Sequence, residues 1–72
     1  MKRHHQRLTV GIDVGGTSLR ASVVDADGQV LDSTAAPTPH TARALERGLD
    51  RAVQELAGRH DIAAVGLAVA GF

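Results

Sequence analysis

Asp13, Gly15, Gly16 and Thr17 stand together in the run Thr9-Val10-Gly11-Ile12-Asp13-Val14-Gly15-Gly16-Thr17-Ser18-Leu19-Arg20, and their types and spacing point to one kind of chemistry. Glycines without Cβ let an anionic ligand come close to the main chain, and successive N–H groups in a turn form a concavity suited to phosphate oxygens. A bare carboxylate beside that concavity would repel phosphate. The conflict disappears when a hard divalent cation sits between them, because Mg²⁺ is held by one or two carboxylates together with water and substrate phosphates. The run therefore predicts a Mg²⁺-nucleotide polyphosphate site. The same composition is also that of an ordinary type I′ hairpin turn, in which Asp, Thr and Ser serve only local hydrogen bonds. Spacing alone leaves both readings open.

Two other phosphate motifs fail. Gly11 and Gly16 have the glycine spacing of a P-loop, but Thr17 occupies the lysine position and a strand, not a helix, follows. There is no Gly-x-Gly-x-x-Gly for a dinucleotide fold.

The elements that must position these residues are short. Apolar-rich runs from Leu8 to Val14 and Leu19 to Val24 read as two strands joined by a tight turn, with the Gly15-Gly16 pair at its centre able to take φ > 0. Asp25-Ala26-Asp27-Gly28 is a second turn; the further acids of a calcium loop are missing. Gln29 to Thr34 supplies a third strand, completing an antiparallel meander. Pro37, Thr38, Pro39 and His40 break regular structure ahead of a helix with Thr41 as N-cap. Leu45, Leu49, Ala52, Val53 and Leu56 then form one apolar stripe at helical spacing. The outer face carries Arg47, Asp50, Arg51, Glu55 and Arg59, in which Arg51–Glu55 and Glu55–Arg59 are four apart and worth about 0.2–0.5 kcal/mol each. Gly58 or Arg59-His60-Asp61 ends the helix, and His60 is explained by that position.

Ile62 to Val69 is apolar without alternation, as in a strand covered on both faces, and a helical crossover places it parallel to and beside the first strand. Ligands of open α/β sheets gather at the carboxyl ends of parallel strands, so Gly71 is expected to face the same crevice as the Gly15-Gly16 turn. A small-residue strand exit is the equally weighted alternative.

The whole chain sets bounds. Its 72 residues carry 8 Lys+Arg against 8 Asp+Glu, no Cys and Phe72 as the one aromatic residue. Such a chain buries about 60% of the surface its unfolded form exposes and is marginal alone. The balanced charge gives no electrostatic case for nucleic acid or a membrane surface. Met1-Lys2-Arg3-His4-His5-Gln6-Arg7 is read as a disordered basic start, since the apolar run behind it is too short for a signal or a span. The expected location is cytoplasmic. Ala70-Gly71-Phe72 ends at the tip of a buried strand, which suggests a truncated lobe.

Ile12-Asp13-Val14-Gly15-Gly16-Thr17, with Arg20 and then Val23-Val24-Asp25 leading to Asp27-Gly28, resembles the first phosphate-binding hairpin of the actin-like ATPase superfamily. Within that superfamily it is most similar to the ROK family of sugar kinases and repressors, in its bacterial glucokinase branch. The resemblance runs from Val10 to Phe72. It implies an α/β fold, the β-β-β-α-β portion of an actin-like ATPase (ribonuclease H-like) lobe with a mixed sheet, in which residues 8–72 form part of the N-terminal lobe behind a tail of residues 1–7. It also implies ATP and Mg²⁺ as cofactors and a nucleotide and a hexose as partners, with a homo-oligomeric full-length protein; the expectation of no nucleic acid or membrane partner comes from the balanced charge.

Carried over by position, Asp13 is the metal-side acid and Gly15, Gly16 and Thr17 the phosphate cradle, with Ser18 beside it. Arg20 is a candidate phosphate-side cation, against a plain role as a solvent-facing strand residue. Gly71 is the candidate sugar contact. Two departures stand out: Ala70 replaces the proline of the family's Pro-Gly loop, and Ser18 stands where many relatives have lysine. The family's catalytic Asp, its Cys and His zinc cluster and its sugar-binding Glu and His find no counterpart in these residues. Zinc is thus an expectation for the full-length protein only, and the isolated chain is expected to be inactive. Two alternatives remain. A ROK-type regulator is disfavoured because only Met1 to Arg7 precede the first strand, where such regulators carry a helix-turn-helix; another actin-like nucleotide module is weakly disfavoured by Ala70-Gly71-Phe72.

Overall fold

A computed structural model describes residues 7–69 of the chain. Its elements are β1 (Leu8–Val14), β2 (Ser18–Val24), β3 (Val30–Pro37), α1 (Ala42–Ala57) and β4 (Ile62–Val69). The four strands form one mixed sheet in the order β3-β2-β1-β4, antiparallel from β3 to β1 and parallel between β1 and β4. The β-β-β-α-β order and the parallel pairing of the last strand with the first are as expected. The expected tail over residues 1–7 and the Ala70-Gly71-Phe72 exit lie outside the described residues, apart from Arg7.

Alternation along β1 and β2 sorts their side chains onto two faces. Leu8, Val10, Ile12 and Val14 join Leu19, Ala21 and Val23 in the core. The stripe of α1 closes it: Ala52 and Leu56 are buried, while Leu45, Leu49 and Val53 pack against it half-buried. The opposite face of the sheet, with Asp13 and Arg20, carries no described element.

Helix α1 starts as its sequence demands. Thr41 has extended backbone, and its hydroxyl accepts from the Ala44 N–H at 3.1 Å. Gly58 ends the helix in right-handed geometry, with φ −72° and ψ −18°, and the N–H groups of Arg59 and His60 both fold back onto the Leu56 carbonyl. The Asp25 turn also forms: its carboxylate accepts from the Asp27 and Gln29 N–H groups, both at 2.9 Å, and Gly28 takes φ +87°.

Three expectations need correction. Strand β3 extends to Pro37, beyond the expected end at Thr34. It is an edge strand, where a proline's missing N–H costs no ladder bond, and Pro37 stands opposite Ser18. Strand β4 is not covered on both faces among the described residues: Val65 and Leu67, on the face that α1 covers further along the sheet, are 50% and 59% exposed. The β1–β2 turn is no type I′ turn on Gly15-Gly16: Gly15 N–H donates to the Ser18 carbonyl at 2.9 Å, so Gly16 and Thr17 span the turn. Neither has positive φ.

Candidate phosphate- and metal-binding site

The turn between β1 and β2 places the sequence-derived residues on two adjoining surfaces. Asp13 is exposed on the face opposite α1, at the carboxyl end of β1, directly across the strand pair from Arg20. The two do not form an ion pair; Arg20 Nη1 instead reaches the Ser33 hydroxyl at 3.5 Å. Among the described residues the ion pairs all gather around Asp32, Glu55, Arg59 and His60, leaving the Asp13 carboxylate without a cationic partner.

Gly16, Thr17 and Ser18 follow, all exposed, with Gly15 half-buried. A Cβ added at Gly16 would meet nothing within 4 Å, whereas one at Gly15 would press on the Ser18 carbonyl at 3.3 Å. Nothing in this segment's own packing or backbone requires glycine at position 16. The turn's carbonyls and amides are unequally engaged. Gly15, Thr17 and Ser18 carbonyls all accept hydrogen bonds, while the N–H groups of Gly16 and Thr17 find no acceptor among the described residues. The Gly16 carbonyl also accepts nothing among the described residues, but two neighbouring unengaged donors on an exposed turn offer a surface for an anion.

Position 38 was missed in the sequence. The Thr38 hydroxyl donates to the Gly15 carbonyl at 2.8 Å and its N–H donates to the Thr17 carbonyl at 3.1 Å. The signal was available in part: Thr38 lies between Pro37 and Pro39, so its amide is the lone main-chain donor of that three-residue stretch.

The donor set limits which metal these residues would suit. No cluster of three or more His, Cys, Asp or Glu able to hold an ion exists among the described residues. A single unpaired carboxylate beside free amide donors does not make an all-protein cage. It fits a Mg²⁺ ion that keeps its waters and is completed by substrate phosphates. Zinc finds no thiolate here, since the chain has no cysteine. Gly71, the candidate sugar contact, lies outside the described residues.

His60 belongs elsewhere. Its Nε2 and the Arg59 Nε both lie 2.9 Å from one oxygen of Asp32 on β3, and Arg59 Nη1 bonds Glu55 at 3.3 Å. Hydrogen bonds from His60 and then Arg59 hold the Asp32 carboxyl down at about 2. This cluster ties the end of α1 to β3, on the core side of the sheet and away from the turn. Of the two expected pairs on the helix, Glu55–Arg59 forms, and Arg51–Glu55 does not.

Comparison with known proteins bears on the family and the fold. A model of the ROK family matches residues 9–72. A glucokinase of Streptomyces coelicolor is 42% identical over 65 residues, which are 90% of this chain and 20% of that protein. An N-acetylmannosamine kinase of Escherichia coli is 42% identical over 64 residues, 82% of this chain and 22% of that protein. The chain thus spans about a fifth of the length of the curated relatives it matches. Among solved structures, a ROK family glucokinase from Streptomyces griseus in complex with glucose and AMPPNP superposes with a TM-score of 0.84 at 40% identity, over 90% of this chain and 21% of that one. A gluconate kinase from Lactobacillus acidophilus superposes with a TM-score of 0.77 at 18% identity, over 90% of this chain and 16% of that one, a likeness of fold.

Proposed function

The chain belongs to the ROK family, and from that premise we propose that it is the phosphate- and metal-binding part of the N-terminal lobe of an ATP-dependent hexose kinase of the glucokinase type. The observation that carries this reading is the exposed turn with two unengaged N–H donors beside an unpaired carboxylate at the end of β1. Similarity to a glucokinase and an N-acetylmannosamine kinase supports a hexose as acceptor, and the likeness to a glucokinase holding AMPPNP supports ATP as donor.

In this reading Gly16 and Thr17 N–H groups receive phosphate oxygens, with Gly15 and Ser18 framing the turn and the Thr17 and Ser18 hydroxyls beside it. Asp13 holds Mg²⁺ on the adjoining face. When bound, that ion neutralises charge on the phosphates as the γ-phosphoryl moves. Arg20, across from Asp13, is the cation of the same face, and Gly71 approaches the sugar. Residues 8–72 act as part of one lobe, the full-length protein works in the cytoplasm as a homo-oligomer, and no helix of the described residues is long and apolar enough to cross a membrane.

Transfer also needs a base for the sugar hydroxyl, distinct from the metal-bearing carboxylate. The catalytic Asp that the family resemblance implies has no counterpart among these residues, so the 72-residue chain by itself is proposed to be inactive. The test is sugar-dependent ADP formation by the full-length protein with glucose and with N-acetylmannosamine. Turnover with glucose, and none by the 72-residue chain, is the expected result. Failure of both sugars, or turnover by the short chain, contradicts the reading.

A further inference from the structure

The peptide bonds of the β1–β2 turn are trans, so in each unit the C=O and the following N–H point in opposite directions. Gripping a carbonyl on one side of the turn therefore aims the next amide to the other. Thr38 grips two of them. Its hydroxyl takes the Gly15 carbonyl, whose peptide partner is the Gly16 N–H, and its amide takes the Thr17 carbonyl, whose partner is the Ser18 N–H.

The first of these units needs such a grip. It lies between two glycines, the residues with the least steric resistance to rotation of the flanking torsions. A flip of that peptide would replace an outward N–H by an outward carbonyl, turning a donor towards phosphate into an acceptor that repels it. The space around Gly16 does not oppose the flip, since a Cβ there would touch nothing within 4 Å. Thr38 is itself well held. Pro37 closes β3 opposite Ser18, Pro39 fixes the next φ, and the Pro39 ring lies 3.7 Å from where a Cβ would stand on Gly48 of α1.

We propose that Thr38 is a positioning residue of the nucleotide site: from the end of β3 its hydroxyl fixes the orientation of the Gly15–Gly16 peptide so that the Gly16 N–H is presented to the phosphates, while its amide anchors the far side of the turn through the Thr17 carbonyl. The inference rests on the nucleotide reading for the identity of the ligand, and on geometry alone for the orientation of the turn. The hydroxyl contact is half-buried, so its loss costs a modest factor in affinity and not the fold.

The experiment uses Thr38→Val, Thr38→Ala and Thr38→Ser in the full-length protein, with Mg²⁺·AMPPNP as the probe. Calorimetric Kd is read beside hydrogen–deuterium exchange of the peptide covering the turn, measured without nucleotide. Thr38→Val is expected to weaken AMPPNP about 3- to 10-fold. It also speeds exchange in the turn, with the glucose KM and thermal midpoint little changed, and Thr38→Ser restores both readouts. Thr38→Ala removes the same hydroxyl while keeping the amide grip, and carries the test if valine is not accommodated. Unchanged exchange and affinity in both hydroxyl-free variants, or a serine variant that rescues neither, overturns the proposal. If the unmodified protein binds no Mg²⁺·AMPPNP, the nucleotide reading fails, and the exchange readout still decides whether Thr38 orients the turn.

Discussion

Gly16 separates stability from function more cleanly than any other residue of the turn. It has ordinary φ and empty space where a Cβ would stand, so Gly16→Ala is accommodated by the fold. Removing a glycine's freedom from the unfolded chain stabilises by about 0.4–1 kcal/mol where the native backbone permits it. The expected outcome in the full-length protein is a thermal midpoint unchanged or slightly raised, together with weaker Mg²⁺·AMPPNP binding, because the methyl group intrudes where phosphate approaches. Equal binding by Gly16→Ala would mean that no ligand comes close to this main chain. Asp13, Gly16 and Thr17 could be proposed as a site from the sequence because they fall within five residues of one turn. Thr38 could not, because its hydroxyl partner lies 23 positions away and only the pairing of β3 with β2 brings them together. The same applies to His60 and Asp32, 28 positions apart.

At the scale of elements, the cluster at the end of α1 makes a pH-dependent fastening. Asp32 titrates at about 2, below its ordinary 3.8, because His60 and Arg59 hydrogen-bond the ionised form. A carboxylate with a depressed folded-state value stabilises the fold fully above its unfolded value, and that contribution is lost as pH falls. The window runs from about 4 down to 2. Asp32→Asn is expected to lower the thermal midpoint at neutral pH and to flatten its decline between pH 4 and 2, as followed by circular dichroism. An unchanged midpoint at neutral pH would show that the contact, whose side chains are 46% and 27% exposed, contributes nothing measurable. Helix α1 was legible down to its N-cap because periodicity and capping are properties of neighbours in sequence. The turn type was misread, since Gly-Gly permits positive φ without requiring it, and the hydrogen bond from Gly15 to Ser18 places the turn one residue later.

For the whole molecule, the core is a single layer between one face of the sheet and α1. Val30, Leu31, Val65 and Leu67 remain exposed at 62%, 45%, 50% and 59%. The apolar run of β4 shows which surroundings that strand is suited to, and these residues do not supply them; this is why the expectation of a doubly covered strand failed. An apolar edge strand with unpaired ladder groups favours association. The 72-residue chain alone is expected to sediment as concentration-dependent oligomers, and Leu67→Lys to shift it towards monomer. A monodisperse monomer at high concentration would show that the edge is harmless.

The proposed function requires that the turn and Asp13 together hold a metal-bound polyphosphate. The most direct measurement is calorimetric titration of AMPPNP into the full-length protein, with and without Mg²⁺, for the unmodified chain and Asp13→Asn. Binding that strengthens with Mg²⁺ in the unmodified protein and loses that Mg²⁺ dependence in Asp13→Asn is the predicted result. AMPPNP binding that is indifferent to both Mg²⁺ and Asp13 would contradict it.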